Sequence, residues 1–363
     1  VGVLAASPHS QSDGHSVHAA LPSPQAHRPH LTPRKPQHAH TTLNSPSSTM
    51  QSILVSTMLA AATPDIALNN GVMMPAIAAG TWQYDADYAA QSVMVALSAG
   101  FTHIDTAHDY CADGTTGDCS SKGGSNQIGI AKSISGSPRD ALFLTTKVPG
   151  CGLQGIGTDT CGADSVAAAD QNLVELGTDY VDLLLVHFPP TGGCGRKNCN
   201  LIKQQWQALT DLHLHTNKTR AIGVSNFCVS CLECLSEISG VVTPAVNQFQ
   251  YHIGMGPDPQ GLVSYCKNNG IAPQAYSPLG DNTTELVSGP LVTSIGKAHN
   301  KTGVQVALKW IWQNGVAVTT KSGNPAHLTE DLDIFNWELT DAEMAEANAA
   351  TSPAGMPSFK CTE

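Results

Sequence analysis

Charge is scarce in this chain. Asp, Glu, Lys and Arg make up 13% of its 363 residues, against about 25% in an average globular protein. Positive charge is the scarcer sign, with 18 Lys and Arg against 29 Asp and Glu and a net charge of -11. A chain without a basic surplus is a poor partner for the phosphate backbone, so a nucleic-acid partner is not expected. No apolar run reaches the roughly 18 residues that a membrane-spanning helix needs, so no membrane partner is expected either. No Gly-x-Gly-x-x-Gly turn, which cradles a diphosphate in a doubly wound sheet, follows the first strand, and this counts against that architecture.

The first 49 residues lack more. They contain no Met, Cys, Phe, Tyr or Trp, yet hold 7 of the 15 histidines and 7 of the 22 prolines. Such a segment cannot bury enough apolar surface to offset its ordering entropy and reads as disordered. Its histidines have no regular ligand spacing, and no metal is expected. From Met50 a short apolar stretch ends at Ala60-Ala61-Ala62, similar to a secretory signal without its basic leader. A transit peptide is the competing reading, since Asp13 is the only acidic residue before Asp65. Residues 1–64 are therefore expected to be a tail or targeting segment, and 65–363 the folded domain.

What is present is a regular alternation. Asn69-Asn70-Gly71 marks a small hairpin between Ile66 and Met73. Eight short apolar runs follow, at 77–82, 102–105, 142–147, 181–187, 221–225, 245–249, 271–276 and 316–321. Helical patterns fall between them, at 88–99, 127–135, 165–176, 203–212, 232–238, 261–267 and 304–312. Repeated strand–helix units favour a parallel sheet with right-handed crossovers, and eight strands favour closure into a barrel.

Three of the runs end on an ionisable residue. Thr102-His103-Ile104-Asp105 is followed five residues later by Tyr110, Leu142–Thr146 ends on Lys147, and Val181–Val186 ends on His187. Strand ends are where a barrel of this kind keeps its chemistry. A phenol is a weak acid at neutral pH, and a neighbouring ammonium is expected to lower its pKa. Lys147 can supply that charge, Asp105 can hold Lys147, and His187 can orient a substrate oxygen.

These motifs resemble the aldo-keto reductase family. The likeness runs from about Ile66 to Glu346. Its carriers are Asn70-Gly71, Met74-Pro75 and Gly80-Thr81-Trp82 at the start, then Ile104-Asp105-Thr106-Ala107 with Tyr110, Thr146-Lys147-Val148 and Leu185-Val186-His187-Phe188-Pro189. The resemblance implies a (β/α)8 TIM barrel with a short N-terminal β-hairpin, acting as a monomer. It also implies NADPH-dependent reduction of an aldehyde or ketone, with Asp105, Tyr110, Lys147 and His187 as the catalytic set. Cofactor contacts are implied for Thr81, Ser225, Asn226, Gln248, Tyr276, Ser277 and Leu279, with Tyr276 stacked on the nicotinamide. Lys321 and Ser322 would grip a 2′-phosphate. Here the chain departs from the family, with His327 where an Arg is usual and Glu330-Asp331 in place of Glu-Asn. A histidine is a weaker, pH-dependent phosphate partner, so NADH is an alternative cofactor. Trp82 and Phe188 would line the substrate pocket. A catalytically silent, nicotinamide-binding regulatory or structural barrel is the alternative function.

The chain has 11 cysteines. Cys111 with Cys119, Cys151 with Cys161, and Cys194 with Cys199 suggest three local disulfides in the loops after the catalytic strands, which favours an oxidising compartment. Cytoplasmic residence is the family default, and the two readings of location stand side by side. Cys228, Cys231 and Cys234 share one helical face and read as small apolar packing.

Overall fold

A computed structural model describes residues 63–281 and 284–356; residues 1–62 of the expected tail, with its targeting signal, lie outside these residues. The described part opens with a hairpin, β1 (Asp65–Ala67) antiparallel to β2 (Met73–Pro75). Its turn depends on Gly71, which has a φ of 84° that side chains rarely adopt.

Eight parallel strands follow: β3 (Ile77–Gly80), β4 (His103–Asp105), β5 (Phe143–Val148), β6 (Val181–Val186), β7 (Thr219–Ser225), β8 (Val246–Gln250), β9 (Ala272–Tyr276) and β10 (Ala317–Thr320). They close in sequence order, with β10 pairing both β9 and β3. The structure is thus the expected (β/α)8 barrel with its N-terminal hairpin. Seven helices lie close to where periodicity put them: α1 (Ala86–Ala99), α2 (Gln127–Ile134), α3 (Cys161–Leu176), α4 (Cys199–His215), α5 (Val229–Ser236) and α6 (Leu262–Asn268), then, after α7 (Glu285–Ser288) and α8 (Pro290–His299), α9 (Gly303–Gln313). Two more end the fold, α10 (Pro325–Leu332) and α11 (Asp341–Asn348). Helix α1 shows why these segments stop and start where they do. Asp85 accepts from the Tyr88 N–H at 2.7 Å, and Gly100, at φ 108°, caps the far end.

The strand pleat divides the core in two. Outward residues such as Ile104, Leu144, Leu184, Val186, Val224 and Phe249 pack under the helices. Inward residues Phe143, Leu183, Leu185, Ala221, Val246 and Ala317 meet inside the barrel, where Leu68 and Met74 of the hairpin segment join them. The hairpin therefore helps to fill the barrel beneath the strands' C-terminal ends. Because side chains alternate, continuing the inward series Phe143-Thr145 leads to Lys147, Leu183-Leu185 to His187, Ala221-Gly223 to Ser225, and Val246 to Gln248. The strands thus deliver a polar layer to one end of an apolar barrel.

Cysteine pairing departs in part from expectation. Cys111–Cys119 and Cys151–Cys161 are bonded as local pairs, with Cα separations of 5.0 and 5.3 Å. The expected Cys194–Cys199 pair is not formed. Cys194 bonds Cys231 and Cys199 bonds Cys234. The cause is the packing of α4 against α5, which sets the first residue of α4 beside Cys234. The expected apolar face of α5 is buried, but Cys231 and Cys234 on it are crosslinks. Cys228 lies beside them, its Sγ 3.8 Å from that of Cys231.

Candidate active site

Asp105, Lys147 and Tyr110 form one connected group. Lys147 is fully buried, and its Nζ donates to Asp105 Oδ1 at 2.6 Å, to the Thr106 carbonyl at 2.8 Å and to Tyr110 Oη at 3.4 Å. All three donors of the ammonium are thereby used. Both Asp105 oxygens are used as well, because Gln248 Nε2 donates to Oδ2 at 2.7 Å. A buried ion pair of this kind is tolerable only when its remaining valences are filled, and here they are.

Tyr110 does not carry the lowered pKa expected from a neighbouring lysine. Burial raises it well above the ordinary phenol value, and the charges of Asp105 and Asp109 and the Tyr276 phenol push the same way. Lys147 lies closer to the Asp105 carboxylate than to the phenol, so its charge is largely spent there. Tyr110 consequently keeps its proton throughout the neutral range.

His187 closes the group. Its ring stands 5.5 Å from that of Tyr110 in an edge-to-face arrangement and stacks on Phe188 at 4.3 Å. Its Nδ1 lies 2.7 Å from Asp109 Oδ1. Asp109 carried no role in the sequence reading, although it directly precedes Tyr110 and is fully buried. The available signal was a second carboxylate four residues after Asp105 and next to Tyr110.

Two disulfides frame this face. Cys111–Cys119 closes the loop that begins at Tyr110, and Cys111 N–H donates to the Thr115 carbonyl at 2.8 Å inside it. Cys151–Cys161 ties the loop after β5 to the start of α3. Gly150 lets that loop lie against the next one, since a Cβ there would stand 2.2 Å from the Phe188 carbonyl. Trp82 sits at the rim, 37% exposed, its Nε1 donating to Thr116 at 3.0 Å.

The residues expected to meet a nicotinamide are gathered on the adjoining strand ends. Asn226 gives both amide protons away, to the His187 carbonyl at 2.9 Å and to Ser225 Oγ at 3.1 Å, and its Oδ1 accepts from Tyr276 at 2.6 Å. Gln248 commits both of its protons to Asp105 and, at 3.1 Å, to Gln274. Ser225 donates to the Gln248 carbonyl at 2.9 Å. What these side chains have left is acceptor capacity, which complements the NH2 of a carboxamide. Asn226 and Ser277 hold left-handed backbones, at φ 62° and 46°. Such conformations in non-glycine residues collect where the chain is held for function. Thr81 is buried, donating through both N–H and hydroxyl to the Asp105 carbonyl, and Leu279 packs at the edge of the outer core.

A second polar patch follows β10. Lys321 is exposed, and its Nζ donates to the Trp82 carbonyl at 2.9 Å and lies 4.9 Å from the Tyr84 ring centre. Ser322 Oγ accepts from the Asn324 N–H at 3.1 Å, just before α10. A cation, a hydroxyl and a helix N-terminus together suit an anion. His327 is exposed on α10, and Glu330 is half-buried. Asp331 instead turns inward, accepting from Thr320 at 2.9 Å, and burial raises its pKa to about 7.

Sequence and structure comparisons agree on what this architecture is. A sequence profile of the Aldo/keto reductase family matches residues 68–351. The chain is 35% identical to morphine 6-dehydrogenase of Pseudomonas putida, over 79% of this chain and 91% of that one. It is also 35% identical to glycerol 2-dehydrogenase (NADP(+)) of Saccharomyces cerevisiae, over 77% and 88%. Among solved structures, an aldo-keto reductase from a deep-sea metagenome library superposes with a TM-score of 0.68 at 29% identity, covering 82% of this chain and 99% of that one. A Bombyx mori aldo-keto reductase in complex with NADP gives a TM-score of 0.64 at 28% identity, covering 79% and 92%. The chain belongs to the aldo/keto reductase family and is an NAD(P)H-dependent oxidoreductase working between carbonyl and alcohol groups.

Proposed function

We propose that this enzyme reduces an aldehyde or ketone with NADPH, with Tyr110 as the proton donor. The observation that carries this reading is the junction of a protonated, buried phenol with the Lys147–Asp105 pair, 3.4 Å from Nζ to Oη. When bound, the cofactor supplies a hydride to the carbonyl carbon. Tyr110 releases its proton to the oxygen that becomes an alkoxide. Lys147 donates to the phenolate left behind, and Asp105 holds the ammonium in place. His187 orients the carbonyl oxygen, while Trp82 and Phe188 offer aromatic walls to the rest of the substrate.

Ser225, Asn226 and Gln248 would hold the carboxamide end through their acceptors, with Tyr276 against the ring. Lys321 and Ser322 favour a phosphorylated ribose, so NADPH is the preferred cofactor. His327, a single donor where a bidentate group would be stronger, keeps NADH within reach. Every group invoked comes from one chain, so a monomer suffices.

The test is NADPH oxidation followed by absorbance with a panel of aromatic and aliphatic aldehydes. Tyr110→Phe removes one long hydrogen bond and leaves Lys147 two acceptors, so the fold should stand. Turnover should fall by about 10²–10⁴, the range for a lost general acid, with cofactor affinity unchanged. Near-parental turnover in Tyr110→Phe would overturn the donor assignment. Cofactor binding without turnover on any substrate would favour the silent-barrel reading.

A further inference from the structure

Asp109 is the one buried carboxylate beside the phenol that the reaction above does not use. Its Oδ1 lies 2.7 Å from His187 Nδ1, and its Oδ2 accepts nothing among the described residues. Burial opposes its ionisation, but the charge of His187 and the hydrogen bond from it outweigh burial, and Lys147 adds to them, so its pKa is held below the usual carboxylate range. An ionised carboxylate can only accept. The shared proton therefore belongs to His187 Nδ1.

This has a chemical consequence, because a neutral imidazole carries one proton. We propose that Asp109 is a positioning residue that fixes this proton on Nδ1, so that His187 donates from Nε2 to a carbonyl only as the imidazolium, and when neutral accepts from an alcohol. The inference rests on the carbonyl-reduction reading and deepens it. Asp109 would make His187 a direction-sensitive partner, matched to the carbonyl when charged and to the alcohol when neutral.

The surroundings support a fixed geometry. The Asp109 carbonyl accepts from Gly117 N–H at 3.0 Å within the loop that Cys111–Cys119 closes. His187 is held from behind by its own N–H on the Val148 carbonyl at 2.8 Å and by Asn226 on its carbonyl. Asp109 and Tyr110, from the loop after β4, face its ring and Phe188 stacks on it; Lys147 on β5 acts in turn on Asp109, and Asp105 at the end of β4 and Tyr276 on β9 act on Tyr110. No second carboxylate or ammonium is bonded to the His187 side chain among the described residues.

Asp109→Asn tests the proposal. The amide can donate to Nδ1, which frees a neutral histidine to carry its proton on Nε2. In the parent, kcat/KM for carbonyl reduction should fall about ten-fold per pH unit on its alkaline limb, as loss of one required proton demands. In Asp109→Asn the same pH span should change it by less than about two-fold, with the low-pH rate within about ten-fold of the parent. Both proteins consume the same proton in the reaction, so the difference between profiles isolates Asp109. Parallel profiles would overturn the proposal. A second readout needs no substrate: nitrogen chemical shifts of His187, identified by comparison with His187→Gln, should show Nδ1 protonated and Nε2 bare in the neutral parent, and the reverse in Asp109→Asn. A neutral parent protonated on Nε2 would overturn the proposal even if no carbonyl substrate were turned over, and the expected shifts without turnover would put the failure on the carbonyl-reduction reading alone.

Discussion

Asp331 offers a stability test whose sign depends on pH. Its side chain is 2% exposed, Thr320 donates to one oxygen, and the other oxygen has no partner among the described residues. Burial lifts its pKa from 3.8 to about 7, with Glu330 pushing the same way and the Thr320 bond opposing. Below about pH 4 the acid is neutral in both the folded and unfolded chain and contributes no pH dependence. Between there and pH 7 the unfolded chain releases the proton while the folded chain keeps it, so folding stability falls as pH rises. A gap of three units at about 1.4 kcal/mol each gives roughly 4 kcal/mol, fully expressed above pH 7. Asp331→Asn keeps the shape and the Thr320 bond and never ionises. It should therefore match the parent near pH 4 and exceed it at pH 8 by as much as roughly 4 kcal/mol, or about 6–8 °C in Tm for a domain of this size. Thermal unfolding of both proteins at pH 4.5, 6 and 8 measures this directly. An equal gain at all three values, or none at pH 8, would show that the buried carboxylate does not titrate as argued.

Further outcomes bear on cofactor choice and on the loops. Lys321→Met should raise KM for NADPH by about ten-fold or more, as loss of a charge-assisted bond does, and leave KM for NADH nearly unchanged; equal effects on both would remove Lys321 from phosphate recognition. His327→Gln should also lower the NADPH-to-NADH ratio of kcat/KM, as loss of a phosphate donor requires, and an unchanged ratio would remove His327 from phosphate recognition. Peptide mapping without reduction should recover Cys194 linked to Cys231 and Cys199 linked to Cys234, alongside the two local pairs. A Cys194–Cys199 peptide would contradict the α4–α5 crosslinks, and loss of activity on reduction would connect the Cys111–Cys119 loop to Tyr110.

The strands were legible because each carries an apolar run that stops abruptly at a polar residue, and the barrel's inward phase makes that stop functional. His103, Asp105, Thr145, Lys147, Leu185 and His187 are consecutive steps of one alternation, so sequence position alone predicts their convergence. The helices read less evenly. Helix α11 buries only Ala347 fully and offers no apolar stripe, while α10 opens with a proline and a run of exposed residues. Both are set by caps, Thr340 with Glu343 and Asn324 with Ala326, rather than by periodicity.

What the sequence hides is anything that depends on two loops meeting. Cys194 and Cys199 are five residues apart, and that nearness makes a local bridge the natural reading. Their partners lie 37 and 35 residues away and become neighbours only when α4 lies on α5. Asp109 escaped notice for the same reason. On paper it is one polar residue in a loop, beside a tyrosine that already has a role. Its partner is 78 residues on, at the end of a strand two places round the barrel. Closing the barrel brings the β4 loop over the end of β6, and this converts an unremarked acid into a constraint on which nitrogen of His187 holds a proton. The residue types of the active site can thus be read from strand ends, whereas their protonation states follow from contacts that only closure creates.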